Sequence, residues 1–352
     1  MRRTLGVLSL FALIGLAGAV AFPRQQVPPP QAQPAAQPPG QNPNATQRVR
    51  VAEVDMLLSV VNRKQKFIVD LEKSDFRVLE DNHEQKIEFF SRQIDLPLRL
   101  GLLMDTSNSI RPRLQFEKEA ATNFVSNTLR KDRDQMFVMT FDSEPQVVAN
   151  WTNDAEKLRT TIDAQHAGGG TALYDAMVKA ADMLMNAPPV KNGSPEVHRV
   201  LVVISDGDDN LSSHIRADVI DALSRAGVQV YTVSTSIEWI TPEESNDPSK
   251  KFDRKWGYTD GDKILLQFAD ETGGRSFFPY HVDDVLQGFE NISIEIRSQY
   301  LLGYIPVNGV TDGKFRKVKI EVPGHKELEI RSRKGYYAVA PPASPTVSPT
   351  GN

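Results

Sequence analysis

Short apolar runs alternate with longer amphipathic stretches throughout residues 96–295. The apolar runs are of strand length: Leu98–Met104, Met136–Phe141, Arg199–Ile204 and Val228–Val233. The amphipathic stretches are of helical length: 112–131, 153–164, 171–186, 213–226, 263–271 and 282–296. Gly227 and Gly273 are each predicted to end one of these helices. Continuous apolar strands separated by helices are typical of parallel sheets, so this region predicts a mostly parallel sheet with helices on both faces.

The two segments that flank this region, 48–95 and 296–340, instead show β patterning with polar turns. Each segment is too short to bury much of a core alone, but together they supply seven or eight strands. The sequence therefore predicts an α/β fold, a doubly wound and mostly parallel sheet flanked by helices, inserted into a smaller β-sandwich built from the N- and C-terminal segments. The predicted core aromatics of the sandwich are Phe76, Phe89, Phe90, Tyr300, Tyr304 and Tyr336.

The two ends of the chain predict export and flexible tethers. Residues 1–21 combine Arg2 and Arg3 with an apolar run and small residues, the pattern of a signal peptide. The alternative is an uncleaved anchor, because the apolar run nearly reaches membrane-spanning length. Residues 22–47 and 341–352 are rich in proline and small or polar residues, which is typical of disordered segments. A secreted, periplasmic or cell-envelope protein is expected, with no membrane span after cleavage.

Composition excludes several classes of site and partner. The chain contains no cysteine, which excludes disulfides, thiol nucleophiles and thiolate metal sites. An exported chain without cysteine fits a bacterial envelope better than a eukaryotic exterior. The net charge of −4 gives no polycationic surface, so nucleic acid is not an expected partner.

Oxygen-bearing side chains follow two of the predicted strands and one glycine-rich loop. Asp105, Ser107 and Ser109 come at the end of the first central strand, and Asp206 follows the strand Arg199–Ile204 after one residue, Ser205. Thr171 lies where the loop His166-Ala-Gly-Gly-Gly enters a helix. Ligands commonly bind beyond the carboxyl ends of parallel strands, and such oxygens suit Mg²⁺, Mn²⁺ or Ca²⁺.

This set of residues resembles the metal-ion-dependent adhesion site (MIDAS) of von Willebrand factor type A domains. The resemblance covers residues 96–295 and extends to the strings Gly-Gly-Thr-Ala-Leu-Tyr-Asp and Ile-Ser-Asp-Gly. It implies that Ser107, Ser109 and Thr171 contact a divalent cation directly, while Asp105 and Asp206 act nearby or through water. It also implies that an Asp or Glu carboxylate of a protein partner completes the coordination of the ion.

The resulting hypothesis is an exported adhesion or scaffold module rather than an enzyme. The alternatives are a Mg²⁺-dependent hydrolase and a structural envelope module whose metal only stabilises the fold. The chain lacks a P-loop and a Gly-x-Ser-x-Gly nucleophile motif. The sequence names neither the partner nor the oligomeric state.

Other acidic residues near these loops have structural interpretations. Asp142 has no counterpart among the five ligand positions, and Asp175 is predicted to steady its loop or the start of a helix. Asp208 and Asp209 are interpreted as solvated loop residues. The long segment 237–262, with Trp239, Trp256 and Tyr258, is predicted to flank the binding face.

Overall fold

The computed structural model describes residues 53–92, 96–190, 197–236, 258–279 and 282–338. The strands in these ranges are β1 Val54–Val61, β2 Arg77–Glu80, β3 His83–Gln85, β4 Ile87–Arg92, β5 Leu98–Asp105, β6 Gln135–Phe141, β7 Pro145–Thr152, β8 His198–Ser205, β9 Gln229–Ser234, β10 Arg275–Phe277, β11 Tyr300–Tyr304, β12 Phe315–Glu321, β13 Glu329–Ser332 and β14 Gly335–Tyr337. The α-helices are α1 Leu114–Thr128, α2 Ala155–Asp163, α3 Leu173–Met185, α4 Arg216–Ala226, α5 Asp260–Thr272 and α6 Val282–Arg297. The predicted signal peptide, linker and tail, and residues 237–257 of the long segment, lie outside the described residues.

The central sheet has six strands in the order β10-β9-β8-β5-β6-β7. Neighbouring strands from β10 to β6 are parallel, and only the edge strand β7 pairs in the antiparallel sense. Strands β5 and β8 lie side by side at the centre of the sheet, with Met104 opposite Ile204. The prediction of a mostly parallel sheet is confirmed.

Helices cover both faces of this sheet. Alternate residues of β5 point to opposite faces, so Leu100 and Leu102 enter one core while Leu103 enters the other. The first core also contains side chains of α1, α2 and α6, and the second contains side chains of α3, α4 and α5. Both faces of the central strands are therefore buried, which explains why their sequences lack polar alternation.

Two four-stranded antiparallel sheets are built from the segments that flank the central region. Their strand orders are β13-β1-β11-β4 and β14-β12-β2-β3, so each sheet combines strands from both ends of the described chain. Inward side chains of both sheets form one core, with Leu58 and Leu302 from the first sheet and Val78 and Ile320 from the second. The predicted sandwich, interrupted in sequence by the α/β region, is confirmed.

One predicted core aromatic was wrong. Phe89 is 45% exposed, whereas its neighbour Phe90 packs against the sandwich core. Adjacent strand residues point to opposite faces, so only one of the two rings can lie inside. A register shift between Gly303 and Tyr304 sets which one, because it places Phe90 opposite inward-facing Leu302.

Of the helices that the structure describes, none has both the length and the apolar character needed to span a membrane.

Candidate metal centre

The two predicted carboxylates lie on neighbouring strands. Asp105 is the last residue of β5, and Asp206 follows Ser205, the last residue of β8. Since β5 and β8 are parallel and directly paired, their carboxyl ends reach the same edge of the sheet. Asp105 and Asp206 therefore meet at one point although they are far apart in the sequence.

Hydrogen bonds connect four of the five predicted ligands. One carboxylate oxygen of buried Asp105 accepts the backbone N–H of Ser107 at 2.8 Å, and the other accepts the hydroxyl of Ser205 at 2.8 Å. The hydroxyl oxygens of Ser107 and Ser109 lie 2.9 Å apart. The Ser109 hydroxyl in turn donates to Asp206 Oδ2 at 2.9 Å. This chain of contacts brings both carboxylates and both hydroxyls into one cluster.

Thr171 lies on a loop that is hydrogen-bonded to both strand-end loops. The Gly168 N–H donates to the carbonyl of Thr106 at 2.7 Å, beside the first strand. The Thr171 N–H donates to Asn210 Oδ1 at 3.0 Å, and the Asn210 N–H donates to the carbonyl of Thr171 at 3.0 Å. Thr171 is buried and held through its backbone between the loops of the two carboxylates.

Negative charge accumulates at this edge of the sheet. Burial raises the pKa of Asp105 from 3.8 to about 6, and the nearby charge of Asp206 raises it further, against the lowering effect of the hydroxyl and N–H donors. Partial loss of solvent around the exposed Asp208 raises the pKa of its carboxyl group, and the charges of Asp206, Asp260 and Asp262 raise it further. A cation at this place would relieve the repulsion that these carboxyl groups impose on one another.

The donor set matches a hard divalent cation. Its members are carboxylates and hydroxyls, the oxygen ligands that Mg²⁺ and Mn²⁺ prefer. Among the residues the structure describes, no group of three or more His, Cys, Asp or Glu side chains is placed to hold a metal. The chemistry of the cluster therefore favours an ion held by mixed hydroxyl and carboxylate oxygens.

A family model matches the part of the chain that contains both strands of this cluster. The match spans residues 100–208, and the family is described as the von Willebrand factor type A domain. The chain contains a von Willebrand factor type A domain. Domains of this family often bind metal through a MIDAS and mediate protein interactions. No curated protein matches the chain.

Several solved structures resemble the chain at low sequence identity. An aerotolerance-related membrane protein from Bacteroides fragilis, with multiple mutations to serines, is 22% identical, and the alignment covers 56% of this chain and 98% of that one (TM-score 0.42). A von Willebrand factor type A protein from Catenulispora acidiphila is 12% identical, with 75% and 72% covered (TM-score 0.44). Proximal thread matrix protein 1 from the mussel byssus, with a zinc-occupied MIDAS motif, is 15% identical, with 62% and 49% covered (TM-score 0.44).

Asp142 and Asp175 of the type A domain support the loops around the cluster. The carbonyl of Asp142 accepts the N–H of Ala172 at 2.7 Å, which anchors the loop that carries Thr171. The carboxylate of Asp175 accepts N–H groups of Ser213 and His214 and the ring of His214. Burial raises the pKa of Asp175, but these hydrogen bonds outweigh it and lower the pKa overall. Asp175 thus steadies the loop that follows Asp206.

Asp208 and Asp209 differ from each other. Asp208 is exposed, in agreement with its interpretation as a solvated residue. Asp209 is half-buried, and its carboxylate accepts the N–H of Tyr174 at 3.0 Å and the hydroxyl of Ser212 at 2.5 Å. The solvated interpretation of Asp209 was wrong, because its carboxylate binds a backbone N–H in the first turn of α3 that has no partner within the helix.

The sequence analysis missed three residues that shape the site. Ser205 fixes the carboxylate of Asp105 through its hydroxyl. Gly207 and Gly261 let the start of α5 lie directly on the Asp206 loop, since a Cβ on Gly261 would lie 2.1 Å from the carbonyl oxygen of Asp206. Gly207 also has a φ of 82°, which favours glycine. Ser205 and Gly207 belong to the Ile-Ser-Asp-Gly string quoted above, which could have indicated them. No sequence pattern around Gly261 indicates its contact with the Asp206 loop.

Proposed function

We propose that this protein is an exported, divalent-cation-dependent binding module that grips an acidic residue of a protein partner. Asp105, Ser107, Ser109, Thr171 and Asp206 hold the ion, which is Mg²⁺ or a related cation. The observation that carries the proposal is the hydrogen-bonded cluster of Asp105, Ser107, Ser109 and Asp206 at the carboxyl edge of the sheet. A binding role rather than a catalytic one is part of the proposal.

The charge of the ligands explains why an acidic partner is expected. The two carboxylates roughly neutralise the charge of a 2+ ion. The hydroxyl ligands bring no charge of their own. An ion contacted mainly by hydroxyls therefore stays electrophilic toward an incoming carboxylate. The exposed position of Ser109 supports access from solvent to this side of the cluster.

Exposed apolar side chains near the site support a protein partner. Leu211 and Ile215 are 52% and 63% exposed, and the Leu211 N–H is bonded to the carbonyl of Thr171. Tyr258 is 52% exposed and lies just before α5, whose first turn packs on the Asp206 loop. Exposed apolar side chains on the loops beside the proposed ion match a partner carboxylate that is flanked by apolar residues.

Location and domain limits belong to the same proposal. We infer export from the signal-like residues 1–21, and we propose domain limits at 48–95, 96–295 and 296–340. The pairing of strands from both flanks in each small sheet supports these limits.

Thermal unfolding with and without cation tests the proposed site. A cation at about 100 times its Kd should stabilise the native protein by about 2.7 kcal/mol and raise its Tm. Asp206→Asn removes one charge without changing size and should weaken cation binding by about 10- to 100-fold. Asp163→Asn, at an exposed position of α2, serves as the matched control and should behave like wild type.

Capture from envelope extracts tests the partner. Immobilised wild-type protein in Mg²⁺ should retain a partner protein, and a chelator should release that partner. The Asp206→Asn variant should not retain it. A wild-type Tm response to cation in Asp206→Asn would refute the site. A normal response in wild type without cation-dependent capture would instead leave the ion as a stabiliser of the fold.

A further inference from the structure

A buried carboxyl group lies on the helix that follows the first loop of the proposed cation site. Glu117 is in the first turn of α1, the helix that follows the loop of Asp105, Ser107 and Ser109. Its side chain is completely buried. Within the described part of the chain, neither of its carboxylate oxygens has a hydrogen-bond partner. Buried carboxyl groups are costly, and a native protein rarely leaves both oxygens without a partner.

Local roles do not account for this residue. An acidic residue in the first turn of a helix can bind free backbone N–H groups, but Glu117 accepts none. Arg113 lies one turn earlier, and its charge opposes the effect of burial on Glu117, yet its Nε and Nη1 atoms also lack hydrogen-bond partners. The nearby buried positions of the helix, Ala120 and Phe124, are apolar core residues. Packing alone would be satisfied by an apolar side chain here.

The acidic neighbours of Glu117 are the two carboxylates of the proposed site. Burial raises the pKa of Glu117 well above its ordinary value, and the charges of Asp105 and Asp206 raise it further. Carboxyl groups that raise one another's pKa in this way repel one another unless positive charge lies between or beside them. The hydroxyls of Ser107 and Ser109 mark where the proposed ion would supply that charge.

We propose that Glu117, without being a ligand of the ion, supplies negative charge to the bound cation from the buried side of the site. The inference rests on the cation site proposed above. Asp105 and Asp206 roughly neutralise a divalent ion, and Glu117 adds attraction that does not depend on a partner. Glu117 therefore helps to retain the ion between binding events, when no outside carboxylate completes the coordination.

The substitution Glu117→Gln tests this role because it removes the charge but keeps the shape. Isothermal titration calorimetry of the purified Glu117→Gln protein with Mn²⁺ should give a Kd about tenfold weaker than that of wild type. The Tm of the cation-free variant should equal or exceed that of wild type, because a neutral amide replaces a carboxyl group whose ionisation burial opposes. These opposite effects on the ion-free and ion-bound states distinguish a charge role from a packing role, which would lower both Tm values.

The matched control is Glu119→Gln, which removes the same charge from an exposed position of the same helix. Its Mn²⁺ affinity should stay close to that of wild type, since solvent screens an exposed charge. Glu117→Leu provides a second charge-free variant and should also bind Mn²⁺ more weakly. Wild-type affinity in a folded Glu117→Gln or Glu117→Leu protein would overturn the inference and leave the site intact. Failure of wild type itself to bind Mn²⁺ would overturn both proposals.

Discussion

Asp105 is a buried carboxyl group at which a proton would compete with the proposed cation. Its burial beneath the loop, together with the charge of Asp206, raises its pKa from 3.8 to about 6 despite the donors from Ser107 and Ser205. In the absence of an ion, the folded protein therefore holds, between about pH 3.8 and 6, a proton that the unfolded chain would release. A shift of this size corresponds to about 3 kcal/mol between the two protonation states.

The stability of the protein should depend on pH in opposite ways with and without cation. Because the folded pKa of Asp105 is raised, its favourable contribution in cation-free protein is present below about pH 3.8 and is lost as pH rises through about 6. A bound cation requires the ionised carboxylate, so the increase in Tm caused by Mg²⁺ should grow as pH rises through about 6. Melting curves with Mg²⁺ and with chelator across this range measure both effects.

Asp105→Asn is the control for the titration, since the amide cannot ionise. It should flatten the pH dependence of the cation-free Tm in this range. If the Tm increase caused by Mg²⁺ is the same at low and neutral pH in wild type, Asp105 does not govern the site.

Helices and strands position the cluster through close backbone contacts. Thr259 caps helix α5, since its hydroxyl accepts the N–H of Asp262 at 3.0 Å, and the first turn of the helix packs on the Asp206 loop through Gly261. A side chain at position 261 would meet backbone rather than a movable side chain. The start of this helix therefore limits where Asp206 can lie.

Gly261→Ala should weaken cation binding without unfolding the domain. The new Cβ would lie 2.1 Å from the Asp206 carbonyl oxygen, so the loop must move. We expect about tenfold weaker Mn²⁺ binding and a loss of about 1–3 kcal/mol of stability, measured by calorimetry and denaturant unfolding.

Gly288→Ala, in α6, is the matched control for this helix substitution. A Cβ there makes ordinary contacts of 3.5 Å with Phe277, and alanine favours the helix by up to about 1 kcal/mol. It should leave ion affinity unchanged. Equal Mn²⁺ affinities in Gly261→Ala and wild type would show that α5 does not position Asp206.

The junction between the central sheet and the sandwich is a buried polar network. Gln299 lies between α6 and β11, and its amide nitrogen lies within hydrogen-bonding distance of Gln229 Oε1 (2.9 Å), the Tyr231 hydroxyl (3.3 Å) and the Ser59 hydroxyl (3.3 Å). The first two acceptors belong to the central sheet and the third to the sandwich. His198 also contacts Gln229, and burial lowers the pKa of this histidine to about 4, so it is neutral at neutral pH.

Gln299→Ala should destabilise both parts of the molecule together. The substitution leaves buried acceptors without their donor, at a cost of about 1–3 kcal/mol. Because one network joins the central sheet to the sandwich, the far-UV and near-UV circular dichroism transitions in denaturant should coincide and shift together.

Gln146→Ala, at an exposed position of the edge strand β7, is the control and should change stability by less than about 0.5 kcal/mol. Separate transitions for the two probes in wild type would mean that the junction does not couple the central sheet to the sandwich.

Local patterns were sufficient to predict most elements of the fold. The predicted helix 112–131 is observed as Leu114–Thr128, and the strand 136–141 as Gln135–Phe141. Gly227 and Gly273 end helices with φ values of 61° and 79°, as predicted. These features depend on hydrophobic periodicity and on the conformational preferences of single residues. Both can be read from a short stretch of sequence.

The amino-acid order alone placed Asp105 and Asp206 at strand ends, where parallel pairing brings them to one edge of the sheet. Only the folded chain decided that Phe89 faces outward, that Asp209 binds the start of α3, and that Glu117 lies buried with both oxygens unpaired. Each of these outcomes depends on a register or a contact between segments far apart in sequence. The hydrophobic periodicity of α1 shows which face of the helix is buried. It does not show that the charges of Asp105 and Asp206 act on Glu117.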